Sequence, residues 1–142
     1  MLSRARGVSI LSSDVGQRLL IDTHVLIWWR NSGRPEISAA AHDAVVDPGN
    51  EVFVSVASIW EIAIKRALGK LDAPWSLTRT IGAIGFRELP ITAFHAEQAG
   101  SLPLHHTDPF DRMLVAQAQA EGLILVTRDA NIPRYGVRTL TA

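Results

Sequence analysis

The feature that most narrows the folds open to this chain is an alternation of short apolar runs with longer stretches of helical period. The run RLLI, with Leu19 to Ile21 apolar, ends abruptly at Asp22, as a buried parallel strand does. A helix through THVLIWWR follows, SGRP at Ser32 to Pro35 breaks it, and Ser38 offers an N-cap for a second helix through Val46. After the turn DPGN, EVFVSV reads as the second strand, and ASIWEIAIKRALGKL as a helix whose stripe Trp60, Ile64, Ala67, Leu68 and Leu71 is expected to face the sheet. The pattern then predicts a helix over 76–84, a strand at Phe86 to Leu89 and a Thr92-capped helix to about Gly100. Asp108 and Pro109 open a helix that Gly122 closes, LILVT is the next strand, and YGVRTLTA supplies a turn and a last short strand. Strands alternating with helices imply an α/β fold with a mostly parallel sheet and helices on both faces.

Residues 18–142 are expected to form one domain, since 142 residues at 47% hydrophobic bury a core without staples. Residues 1–17 carry no sustained period and read as a loose N-terminal extension. The absence of cysteine excludes disulfides and thiolate metal sites and suits a reducing cytoplasm. The leader lacks a signal-peptide apolar region, and VLIWW at Val25 to Trp29 is far too short to span a bilayer, so no membrane partner is expected. Fourteen basic residues balance fourteen acidic ones, which argues against a general nucleic-acid coat but permits a local separation of charge.

In a parallel α/β sheet the strands' carboxyl ends and the helices' N-termini share an edge, and that edge binds ligands. Asp22 and Asp129 stand at strand ends, while Glu61 and Asp111 are placed in first turns of helices. Asp111 also shares the inward side of its helix with Leu114, Val115 and Ala118. Carboxylates gathered in this way repel unless a cation neutralises them, and hard oxygen ligands suit Mg2+ or Mn2+. Such ions bind phosphates and promote phosphodiester cleavage.

The ordered set LLIDTHVLIWW, VSVASIWEIAIKRALGKL and LPLHHTDPFDRMLVAQAQAEGLILVTRDANIPRYGV resembles the PIN-domain ribonucleases, specifically the VapC toxins of toxin-antitoxin pairs, over about residues 19–139. The resemblance implies a PIN-like three-layer α/β/α sandwich and Mg2+- or Mn2+-dependent endoribonuclease activity. It also implies inhibition by a cognate VapB-type antitoxin, an RNA substrate and a homodimer. The family's acidic set falls on Asp22, Glu61, Asp111 and Asp129, all implied metal ligands. Thr127 takes its hydroxyl position, where it orients a carboxylate or water, and Thr23 follows the first acid. Asp22 and Asp129 are expected as the principal ligands. Residues 1–17 are an addition to the family's pattern.

Each acid has an ordinary explanation beside this one. Asp22 fits a helix cap, Glu61 a capping box with Ser58 or an ion pair with Lys65, and Asp129 a turn residue. These explain the acids separately but not their shared edge. Asp108 reads as the N-cap of its helix and stays outside the set. His105 and His106 beside DPF invite a metal or acid/base reading, but a loop His is more often a surface residue and they read as that, while His24 reads as a packing or capping residue near the site. Trp28, Trp29 and Trp60 read as core or dimer packing rather than base-stacking platforms. Lys65, Arg66, Arg112 and Arg128 are candidates for phosphate contacts at the cleft rim. A signalling receiver domain would need an acidic pair after the first strand and a late Lys, yet no Lys follows Lys70. An aspartyl-phosphate phosphatase would need an acid where His24 stands. The remaining alternative is a catalytically silent PIN-like module that binds RNA or a partner.

Overall fold

Five strands and six helices alternate along the computed structural model, which describes residues 16–31 and 36–142. The strands are β1 (Arg18–Ile21), β2 (Glu51–Ser55), β3 (Arg87–Leu89), β4 (Ile124–Thr127) and β5 (Thr139–Thr141). The helices are α1 (Thr23–Asn31), α2 (Ala39–Val46), α3 (Val56–Ala67), α4 (Leu77–Ala83), α5 (Ala93–Ser101) and α6 (Pro109–Glu121). The sheet order is β3-β2-β1-β4-β5 and every pairing is parallel. The chain steps from β1 outward to β3 and then returns to the other side of β1 with β4. The strand order therefore reverses between β1 and β4, and the crevice at their carboxyl ends is where open α/β sheets bind ligands.

The strands alternate between two cores, as a sheet covered on both faces requires. Leu19 and Ile21 of β1 and Ile124 and Val126 of β4 pack with Val25, Leu26, Ala41, Ile62 and Ile81 on one side. Leu20 and Leu125 pack with Leu114, Val115 and Ala118 of α6 on the other. This is the three-layer arrangement expected from the sequence. Caps fix the helix starts: Ser38 accepts from Ala41 N, Thr92 forms a capping box with His95, and Asp108 accepts from Phe110 N at 2.8 Å. Gly122 closes α6 with φ near +67°, a left-handed conformation that glycine adopts at little cost.

The first fifteen residues and the SGRP break at 32–35 lie outside the described residues. Two expectations change. Gln17, expected in the loose extension, is already tied to the sheet: its carbonyl accepts from Glu51 N at 2.9 Å and its N–H donates to Asn50 Oδ1 at 2.8 Å. Most of the stripe expected to turn α3 toward the sheet points outward, with Trp60 60% and Leu68 63% exposed and Ile64 half-buried, while Leu71 beyond the helix packs against the core. The buried face is instead Ala57, Ser58, Glu61 and Ile62. A helix that lays polar side chains inward beneath a site carries an apolar stripe that no longer marks its core face.

Candidate active site

Asp22 follows β1 directly and is 5% exposed. Its Oδ1 accepts from Val25 N at 2.9 Å, so the helix-capping reading holds, but the cap is also a wall of the crevice. Across the switch point, β4 delivers Thr127 and Asp129. The Asp129 N–H donates to Thr127 Oγ1 at 3.1 Å, and the Thr127 hydroxyl acts on the Asp22 carboxyl, lowering it. Thr127 thereby couples the acids at the ends of two adjacent strands. Asp111 enters from the first turn of α6, where the helix N-terminus favours negative charge. Asp22, Asp111 and Asp129 line one cleft of about 310 Å³ together with His24, Trp28 and Arg128.

Glu61 is placed differently from the expectation. It lies in the second turn of α3, because Ser55 rather than Ser58 is the N-cap, accepting from Ala57 N at 2.9 Å. The capping box with Ser58 does not form. Glu61 is 4% exposed, and both oxygens have partners: Thr23 Oγ1 donates to Oε1 at 2.7 Å and Lys65 Nζ pairs with Oε2 at 2.7 Å. Thr23 also reaches Ser58 Oγ at 2.9 Å. Glu61 therefore sits behind the cleft wall, where its charge still acts on Asp111.

The electrostatics are those of crowded anions. Burial raises the Asp22 carboxyl above its usual range, with Asp129 adding to the shift against the bonds from Thr127 and Val25. Burial likewise pushes Asp111 up to about 7, reinforced by Asp108, Asp22 and Glu61 and opposed by His106. Burial also works on Asp129, yet the Asn131 N–H and the bond and charge of His106 outweigh it and hold this carboxyl below its usual range. The hydrogen bond to Glu61 raises the Lys65 ammonium.

His106 is the residue that the surface-loop reading misplaced. Its Nε2 lies 2.7 Å from Asp129 Oδ2 and 3.1 Å from Asp111 Oδ2. The Asp108 N–H donates to Nδ1 at 3.1 Å, so an imidazole accepting there carries its proton on Nε2 and offers it to both carboxylates. His106, Asp111 and Asp129 present potential ligand atoms all within 4.8 Å of one another. With the ring proton on Nε2, the electron pairs in that group come from the aspartates. The available signal was local: a His two residues before an N-cap Asp can bond that residue's amide and turn its ring inward. His105, by contrast, rests edge-on against Tyr135 at 4.9 Å.

Carboxylate oxygens from chain-distant residues, with no thiolate, form a hard donor set, and the two raised carboxyls mark a strain that a divalent cation relieves. The donor set thus fits such an ion. The rim cations divide sharply. Arg112 donates to carbonyls at the end of α5 and in the loop after it, among them Ala99 and Leu102 at 2.9 Å, and Arg66 to the carbonyls of Ala73 and Trp75. Both Nη atoms of Arg112 are taken up in this way, whereas Arg66 commits Nη1 alone. Trp29 packs against the core near His42 and Phe86, and exposed Trp60 meets Phe110 edge-on at 5.5 Å.

Comparison with known proteins gives one consistent answer. The PIN domain family model matches residues 19–137. Ribonuclease VapC22 of Mycobacterium tuberculosis is 30% identical over 122 residues, covering 80% of this chain and 88% of its own. A toxin-antitoxin complex from Klebsiella pneumoniae superposes with a TM-score of 0.60 at 25% identity, over 87% of this chain and 96% of that one. DNA-bound VapBC from Salmonella typhimurium gives a TM-score of 0.64 at 16% identity, over 87% and 97% of the two chains, a likeness of fold.

Proposed function

Since this chain belongs to the PIN domain family, we propose that it is the endoribonuclease toxin of a toxin-antitoxin pair, hydrolysing RNA phosphodiester bonds with the help of Mg2+ or Mn2+. The observation that carries this reading is the convergence of Asp22, Asp111 and Asp129 on one cleft at the strand-order reversal. Asp22 and Asp129 are the principal metal ligands and Asp111 completes the shell. Thr127 holds Asp22 and Asp129 in register. Glu61, engaged by Thr23 and Lys65, contributes through its charge rather than as a direct ligand. A divalent ion bound there activates water and offsets the charge developing on the phosphate. His106 keeps two carboxylates, from different elements, aimed at the same point.

A VapB-type antitoxin is the inhibitory partner, a homodimer is the working form, and the cytoplasm is the place of action. No described helix is long and apolar enough to cross a membrane. Residues 18–142 act as the single catalytic domain. The hard-ligand set favours Mg2+ or Mn2+ over softer metals. Incubating the antitoxin-free protein with total cellular RNA, with and without Mn2+, and mapping new RNA ends tests the reading. Discrete ends that vanish with chelator support it. RNA left intact with Mg2+ and with Mn2+ rejects it in favour of a silent module.

A further inference from the structure

We propose that Arg128, laid against Trp28, is a substrate grip that holds a backbone phosphate of single-stranded RNA beside the acids; this rests on the ribonuclease reading of the cleft. Arg128 stands between Thr127 and Asp129 in the chain, yet it is exposed where they turn inward. Its guanidinium carbon lies 4.5 Å from the Trp28 ring centroid, and its Nε donates to Ala142 O at 3.2 Å. Those two contacts fix the plane of the fork. The Nη atoms carry no hydrogen bond to a described residue, and no Asp or Glu among the described residues pairs with this side chain.

The contrast with the other cations near the acids is what singles it out. Lys65 is taken up by Glu61 and Arg112 by carbonyls, while Arg66 commits Nη1 to the carbonyls of Ala73 and Trp75 and does not line the cleft. Arg128 alone of these lines the cleft with its terminal nitrogens open. A guanidinium immobilised on an indole face loses little freedom on binding, and its two parallel N–H groups match phosphate oxygens. A cleft walled by three aspartates repels a polyanion, so a cation at its mouth helps the RNA backbone approach. Trp28 is the positioning residue, acting through Arg128.

The test measures binding of a fluorescein-labelled, mixed-sequence single-stranded RNA to the full chain carrying Asp22→Asn, by anisotropy over a series of salt concentrations. Adding Arg128→Gln is expected to weaken binding several-fold and lower the slope of log Kd against log salt by about 0.7, the value for one single-strand phosphate contact. Arg128→Lys is expected to retain the slope while binding more weakly, because charge survives and the fork does not. Trp28→Leu is expected to weaken binding with Arg128 still present. Unchanged affinity and slope in Arg128→Gln, with a melting temperature equal to the parent's, overturns the proposal alone. A parent that binds no RNA overturns it together with the ribonuclease reading.

Discussion

His106 Nε2 lies 2.7 Å from Asp129 Oδ2 and 3.1 Å from Asp111 Oδ2, so one ring joins the residue just beyond β4 to the first turn of α6. A donor that orients two carboxylates at once restricts where a cation binds them. His106→Ala is expected to weaken Mn2+ binding by roughly 10–100-fold, the usual effect of losing an orienting partner. Titration calorimetry reads this directly, and an unaltered affinity counts His106 as a bystander.

The Asp111 carboxyl, pushed up to about 7 by burial first and by its acidic neighbours, ionises near its ordinary value in the unfolded chain. Between those limits the folded state holds the extra proton. Asp111 is therefore harmless to metal-free stability below about pH 4, and increasingly destabilising up to about pH 7. Asp22, also raised, acts with the same sign, whereas Asp129, lowered, stabilises above its ordinary range and loses that contribution in acid. Metal-free Asp111→Asn should gain melting temperature over the parent progressively from about pH 4 to 7 and hold the gain above that. A difference that does not vary with pH contradicts the assignment. Protons also compete with the cation, so Mn2+ affinity should fall as pH drops below about 7.

Thr23 donates to Glu61 Oε1 at 2.7 Å and touches Ser58 Oγ at 2.9 Å in a buried setting. Thr23→Val keeps the shape and removes the donor, leaving a buried carboxylate oxygen short of a partner. The expected loss is about 1–3 kcal/mol in denaturant unfolding, with Thr23→Ser recovering most of it. Equal stability of the Val and Ser variants would show that the contact contributes nothing.

Much of this molecule is legible in its sequence because strand and helix periods are strong where the sheet is buried on both faces. RLLI and LILVT announce β1 and β4, and the acids at their ends follow from the parallel geometry alone. What stays hidden depends on rotation about an axis and on loops. Trp60, Ala67 and Leu68 of the apolar stripe face outward because Ser58 and Glu61 occupy the inward side. His106 hides in a loop whose course is set by Arg112 gripping its carbonyls. The inward and outward faces of α3 give a direct comparison. Ile62→Ala is expected to cost about 2–5 kcal/mol, while Leu68→Ser should change stability by less than about 0.5 kcal/mol. Similar losses for the two would restore the rejected orientation.

The claim beneath all of these is that Asp22 holds the ion that makes cleavage possible. The rate of RNA cleavage by purified Asp22→Asn, compared with the parent at saturating Mn2+ and with circular dichroism confirming an intact fold, is its most direct measure. Removing one ligand charge from the shared cleft should lower the rate by at least about 100-fold, on the order of 3 kcal/mol of barrier. An Asp22→Asn protein that folds and cuts RNA at the parent's rate contradicts it.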